Sequence, residues 1–204
     1  MADDRWWRGF ETVVVDQLVP GSRILDIGCG DGSFVERLCE SGLDALGVDP
    51  RAPAHPRLIP ALVEEVTTIG DFDAVCAVMA LHHADLDAVA PAIRRLLRPN
   101  GHLFVYDFSW DLYDERAAEW LARHGRSDAD NSVEAWRGEH GDLHVGATVR
   151  GAIVEAVELC EERERPYLAR MLGRLELEPE EESLIADGRL PAVGRWYVGR
   201  RIAG

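Results

Sequence analysis

Lysine is missing altogether. All 22 basic residues are arginine, and 37 aspartates and glutamates outweigh them to a formal charge of −15. So acidic a chain opposes a polyanionic partner, because nucleic-acid binding draws on a basic stripe that releases counterions. No apolar run reaches the roughly eighteen residues a membrane-spanning helix needs. The first residues, Met1-Ala2-Asp3-Asp4-Arg5-Trp6-Trp7, hold no apolar stretch of the kind that heads a secretory signal. Cysteine is sparse: Cys29, Cys39, Cys76 and Cys160 form no C-x-x-C pair and read as reduced thiols. Internal repeats and low-complexity tracts are also lacking. These absences predict a cytoplasmic protein that binds neither nucleic acid nor membrane. With 47% apolar residues over 204 positions, the expectation is one domain spanning 1–204.

What is present concentrates in Ile24-Leu25-Asp26-Ile27-Gly28-Cys29-Gly30-Asp31-Gly32-Ser33-Phe34. An apolar run ends in an acid, and glycines at alternate positions then lead into a helical pattern. Such a loop brings bare backbone close to a ligand, since glycine adds no side chain and tolerates positive φ. About twenty residues on, Leu46-Gly47-Val48-Asp49 ends a second apolar run in another acid, suitably placed for both hydroxyls of a ribose. A dinucleotide fingerprint wants Gly or Ala at its third place, where this chain has Ser33. The carboxylates of Asp26 and Asp31 would repel a pyrophosphate and attract an ammonium or a sulfonium.

The pattern around the loop predicts an α/β fold. An amphipathic helix over 6–18 heads the chain, within an N-terminal lid at 1–20. Strands are expected at 23–27, 45–48, 57–59, 73–80 and 102–108. Helices are expected at 33–39 and 86–97, with a turn or two at 62–69. Asp73 to Ala80 is apolar almost throughout after its first residue, as in a strand buried on both faces of a parallel sheet. Repeated β-then-α units imply a parallel sheet with right-handed crossovers. Residues 109–145, polar and dotted with aromatics, read as a helical insertion. A helix over 146–157, a strand at 157–162, a short helix at 179–187 and a final strand at 195–202 complete the chain.

At Leu25-Asp26-Ile27-Gly28-Cys29-Gly30-Asp31-Gly32 the sequence resembles the first motif of the class I S-adenosylmethionine-dependent methyltransferases of small-molecule type. Arg94-Arg95-Leu96-Leu97-Arg98-Pro99-Asn100-Gly101-His102-Leu103 resembles the family's segment before strand five. The resemblance implies a Rossmann-like domain with a mostly parallel seven-stranded sheet, helices on both faces and one antiparallel strand. It also implies S-adenosylmethionine as cofactor and methyl transfer by in-line displacement. Asp26 would face the cofactor's ammonium. Gly28, Cys29, Gly30 and Gly32 would let the backbone approach its methionine and ribose parts. Asp49 would take the ribose hydroxyls, with Pro50 beside it, and Val78 and Met79 would lie beneath the methionine portion. Family members often carry an acid after strand three for the adenine amine. Here that place falls at Ala61-Leu62-Val63, ahead of Glu64 and Glu65, so Leu62 is expected to give adenine an apolar contact only.

The sulfonium is already an activated donor, so aligning a nucleophile and excluding water matter most. His83, following strand four at the ligand-binding edge of the sheet, is the candidate base. Asp107 at the end of strand five, Trp110 just past it, and Trp7 are candidate substrate contacts. Trp6, Phe10, Tyr113, Trp120, His124, Trp136, His140 and His144 could add to an aromatic lid. No metal site is expected, since the paired acids and Asn of metal-dependent O-methyltransferases have no counterpart. The acceptor is expected to be a small molecule. Three other readings stay open: an inactive S-adenosylmethionine-binding module or partner subunit, a nicotinamide oxidoreductase, and a methyltransferase acting on protein or nucleic acid.

Overall fold

A computed structural model describes residues 8–67, 72–125 and 131–202. The chain opens with α1 (Arg8–Asp16), β1 (Arg23–Ile27), α2 (Ser33–Glu40), β2 (Asp44–Val48) and β3 (Leu58–Ile59). It continues with β4 (Phe72–Val78), α3 (Leu86–Leu96) and β5 (Leu97–Phe108). Two helices follow, α4 (Glu115–Arg123) and α5 (Val133–His140), and then α6 (Gly146–Ala156) leads into β6 (Glu158–Arg165). The chain ends with α7 (Leu168–Met171), α8 (Glu178–Ala186) and β7 (Gly194–Arg200).

The strands form one seven-stranded sheet in the order β3-β2-β1-β4-β5-β7-β6. Neighbours from β3 to β5 pair in parallel, and β7 runs antiparallel to both β5 and β6. The chain moves outward from β1 through β2 to β3, then returns to place β4 on the other side of β1. Strand order therefore reverses between β1 and β4. In open α/β sheets, ligands bind at the carboxyl ends of the strands flanking that reversal.

Alternation along the central strands builds two cores. Leu25, Val75, Ala77, Leu103 and Val105 face Val89, Ile93, Val149 and Ile153 of α3 and α6. Ile24, Ala74, Cys76 and Phe104 face Phe10, Val14, Val35 and Leu38 of α1 and α2. The period of two along a strand puts adjacent apolar residues on opposite faces, so both faces need a helical cover. A third cluster is built from α4, α5, α7, α8 and the end of β5, around Phe108, Tyr113, Trp120, Trp136, Leu168 and Val193. Glu181 of α8 is fully buried there. Its carboxylate accepts the backbone N–H groups of Tyr167, Leu168 and Ala169, and so caps the start of α7.

Several elements differ from the sequence expectation. β4 stops at Val78, because Met79 takes a left-handed φ of 54°. β5 begins at Leu97 rather than His102, with a register shift against β4 and Asn100 at φ 64°. The helical segment expected over 62–69 is one short 3₁₀ turn at Val63–Glu65, and residues 68–71 lie outside the described residues. The insertion over 109–145 holds α4 and α5, but residues 168–193 contribute to the same cluster. Trp6 and Trp7 lie outside the described residues. Among the described residues no helix is long and apolar enough to cross a membrane.

Candidate active site

The glycine loop leaves β1 with Gly28, Gly30 and Gly32 all at positive φ. At Gly28 the demand is steric as well as conformational. An added Cβ would sit 2.4 Å from the Ala80 Cβ, so the bare backbone lets the ends of β1 and β4 close together. Gly28 N–H donates to the Val48 carbonyl at 2.8 Å, which ties the loop to β2. At Gly30 an added Cβ would meet nothing within 4 Å, so conformation alone calls for glycine there and the space above it is open.

Asp49, at the end of β2, is only 8% exposed yet lines that space. Its Oδ2 accepts the Gly30 N–H at 3.2 Å and its Oδ1 accepts the Arg51 N–H at 2.7 Å. Two backbone donors thus fix the carboxylate in the mouth of the loop, and each oxygen keeps further acceptor capacity. Asp26 lies within β1 at 2% exposure, and its Oδ1 has no hydrogen-bond partner among the described residues. Burial first, and the Asp49 carboxylate second, push its pKa well above the usual carboxylate range. A buried carboxylate oxygen without a donor is costly and rare, and it fits a site that awaits a cationic group.

The cavity at this edge measures about 520 Å³. Ile27, Gly28, Gly30, Met79 and Ala80 form one part of its lining. Val48, Pro50, Ala61, Leu62, Val63 and Val89 add an apolar part suited to a flat ring, and Arg51, Glu64, His83, Ala84 and Asp85 complete it. Of the residues expected from the sequence, Gly28, Gly30, Asp49, Pro50, Leu62, Met79 and His83 meet around this one cavity. Asp26, Cys29, Gly32, Val78, Asp107 and Trp110 lie outside its lining. Cys29 packs against Gly47, where an added Cβ would stand 2.6 Å from its Sγ. Burial, with Asp26 and Asp49 nearby, pushes the Cys29 thiol up to about 12, so it stays protonated and inert.

His83 is exposed on a 3₁₀ turn, Leu81–His83, after β4. Burial first and the neighbouring His82 second hold it below the ordinary imidazole value, with Arg51 adding and Asp107 opposing. It is therefore a neutral imidazole near pH 7. Asp107, expected to contact substrate, instead sits 1% exposed behind that turn. It holds His82 Nδ1–H at 2.5 Å. Trp110 is likewise engaged by protein, donating from Nε1 to the Leu143 carbonyl at 3.2 Å.

The expected aromatic lid is for the most part a packed core. Tyr113 stacks on Trp136 at 4.3 Å and 14°, and Trp136 stacks on His140 at 3.9 Å. Tyr113, Trp120 and Trp136 are all buried, so these ring faces meet each other and not a ligand. Phe10 is buried under α1 against Phe34, Tyr106 and Trp196. Sequence reasoning missed Arg51, Ala84, Asp85 and Val89 as cavity residues. Their signal was proximity: Arg51 follows Asp49 by two residues, and Ala84 and Asp85 follow His83 directly.

These residues fit an adenosyl sulfonium amino acid. They supply a buried carboxylate with one oxygen lacking a donor among the described residues, a side-chain-free loop, a fixed carboxylate for a diol and an apolar slot. The chain's relatives agree. Residues 9–151 match the family described as a methyltransferase domain. An uncharacterized methyltransferase of Mycobacterium tuberculosis is 34% identical over 123 residues, covering 54% of this chain and 49% of that protein. The chain spans about half the length of such curated relatives. Among solved structures, phosphoethanolamine N-methyltransferase 2 of Haemonchus contortus, in complex with S-adenosyl-L-methionine, superimposes with a TM-score of 0.63 at 15% identity, over 96% of this chain and 53% of that one. An S-adenosylmethionine-dependent methyltransferase of Mesorhizobium loti gives 0.56 at 21% identity, over 94% and 97%. The chain belongs to the methyltransferase domain family, in its class I, S-adenosylmethionine-dependent form.

Proposed function

We propose that this chain binds S-adenosylmethionine at the glycine loop and passes its methyl group to a small-molecule acceptor. The observation that carries the reading is the unpartnered, buried Oδ1 of Asp26 beside a loop of left-handed glycines. The cofactor, when bound, supplies a methyl group already activated by positive sulfur. Asp26 would pair with the ammonium, and Asp49 would hold the ribose hydroxyls by charge-assisted hydrogen bonds. Leu62, Val63 and Val89 would pack on the adenine ring, while Glu64 and Asp85 offer carboxylates in the same cavity. Met79 and Ala80 would confine the methionine portion. His83, neutral and facing the cavity, would take a proton from the acceptor as the new bond to carbon forms.

The small-molecule reading draws support from the formal charge of −15 and the absence of lysine, which disfavour nucleic acid as acceptor. Four free cysteines suit a reducing compartment such as the cytoplasm. The test is turnover. Purified protein incubated with labelled S-adenosylmethionine and a fractionated metabolite extract is expected to release S-adenosylhomocysteine and label a low-mass product. Binding of S-adenosylmethionine without turnover in any fraction would overturn the enzymatic reading.

A further inference from the structure

We infer that Asp107 and His82 are positioning residues for His83, fastening the turn that carries it and aiming its imidazole into the cavity. The inference depends on the methyl-transfer reading only for the use to which His83 is put.

A three-residue turn has little stability of its own, because helical hydrogen bonds repay their nucleation cost only in longer runs. This one is held from outside. Asp107 Oδ2 accepts the backbone N–H groups of Leu81 at 3.0 Å and His82 at 3.2 Å. Its Oδ1 accepts His82 Nδ1–H at 2.5 Å and the Phe108 N–H at 2.8 Å. A carboxylate has about four acceptor positions, so Asp107 is fully used and keeps none for a substrate. From the other side, His144 N–H donates to the His82 carbonyl at 3.0 Å, and its Nε2 donates to the Ala84 carbonyl at 2.9 Å. The His82 ring lies 4.2 Å from the His83 ring and edge-on to Phe108 at 4.6 Å. It fills the space between the end of β5 and His83. His82 itself is 4% exposed and its Nδ1–H is committed to Asp107, so it serves the turn and not an acceptor.

The charged and titratable groups that act on His83 are His82 on its own turn, Asp107 on β5 and Arg51 after β2. Asp49, Glu64 and Asp85 line the same cavity. Burial and His82 lower the His83 titration while Asp107 raises it. Removing His82 takes away one lowering influence, while burial and Arg51 still lower the titration and Asp107 still raises it.

The experiment follows histidine ring signals by NMR across pH, in free protein and with S-adenosylhomocysteine, using His83→Gln to assign the resonance. His82→Asn keeps a donor for Asp107, and His82→Leu keeps none. The His83 midpoint is expected to rise in both variants. One ring orientation is expected to persist in His82→Asn and to be lost in His82→Leu. Calorimetry is expected to show S-adenosylhomocysteine affinity within about twofold of wild type for His82→Asn, since His82 lies outside the cavity. An unmoved midpoint in His82→Asn would overturn the inference, as would a single ring orientation kept in His82→Leu. Failure of wild-type protein to bind S-adenosylhomocysteine would strike the methyl-transfer reading instead, and the midpoints in free protein would still decide this one.

Discussion

Asp26→Asn is expected to make the ligand-free protein more stable while making it a poorer binder. The wild-type carboxyl is 2% exposed, lacks a donor for Oδ1 and feels the Asp49 charge. Leaving a buried charged group unsatisfied costs roughly 1–3 kcal/mol or more, and the carboxamide keeps the shape while removing the charge. In a chain of this size about 1 kcal/mol moves Tm by roughly 2–4 °C, so a rise of about 2–12 °C is expected. The sign with pH is fixed by linkage. The folded pKa of Asp26 is raised above its unfolded value near 3.9. Its contribution to stability is therefore complete below that unfolded value and is lost as pH climbs through the folded one. The gap between variant and wild type should open toward alkaline pH. Binding moves the other way, since the cofactor's ammonium loses a charged partner worth about 1.5–3 kcal/mol, or about 10- to 150-fold in affinity. Thermal melts from pH 5 to 9, with and without saturating S-adenosylmethionine, read both effects. A ligand-free Tm at alkaline pH equal to or below wild type, or an unchanged ligand-induced shift, would refute the reasoning.

Asp49→Ala should weaken S-adenosylmethionine binding about ten- to a hundredfold, matching roughly 1.5–3 kcal/mol for its hydrogen bonds; wild-type affinity in calorimetry would reject that role. Gly28→Ala should cost about 1–3 kcal/mol by overpacking against Ala80, aggravated by the positive φ, and a Tm within a degree of wild type would contradict it. Glu181→Gln should lower stability by about 1–3 kcal/mol, because the carboxamide nitrogen meets a backbone donor where Oε2 accepted one from Ala169. Its affinity for S-adenosylmethionine should hold, and denaturant melts beside calorimetry separate the two.

The glycine loop, Asp26 and Asp49 were legible because their chemistry is written in consecutive residues at the ends of apolar runs. The alternation of strands and helices likewise declared the parallel sheet, while the antiparallel strand came only with the family resemblance. What stayed hidden depends on distance in the chain. Asp107 ends a strand at the ligand edge and so reads as a substrate contact, yet a partner 25 residues earlier, His82, takes it up. Tyr113, Trp136 and His140 read as a lid because nothing local reveals that they stack on one another. Residues 168–193 joined the same cluster only when the antiparallel β7 brought them beside α4. Met79 carries no sequence mark of its left-handed φ, a conformation that a non-glycine residue seldom adopts.

On the proposed function, a buried carboxylate beside a bare glycine loop selects a cationic adenosyl amino acid. Titration calorimetry of the purified chain with S-adenosylmethionine, with reduced nicotinamide dinucleotide as rival, tests it most directly. Saturable one-to-one binding of the sulfonium, weakened in Asp26→Asn, and no heat from the dinucleotide are expected. Saturable dinucleotide binding with no response to S-adenosylmethionine would contradict it.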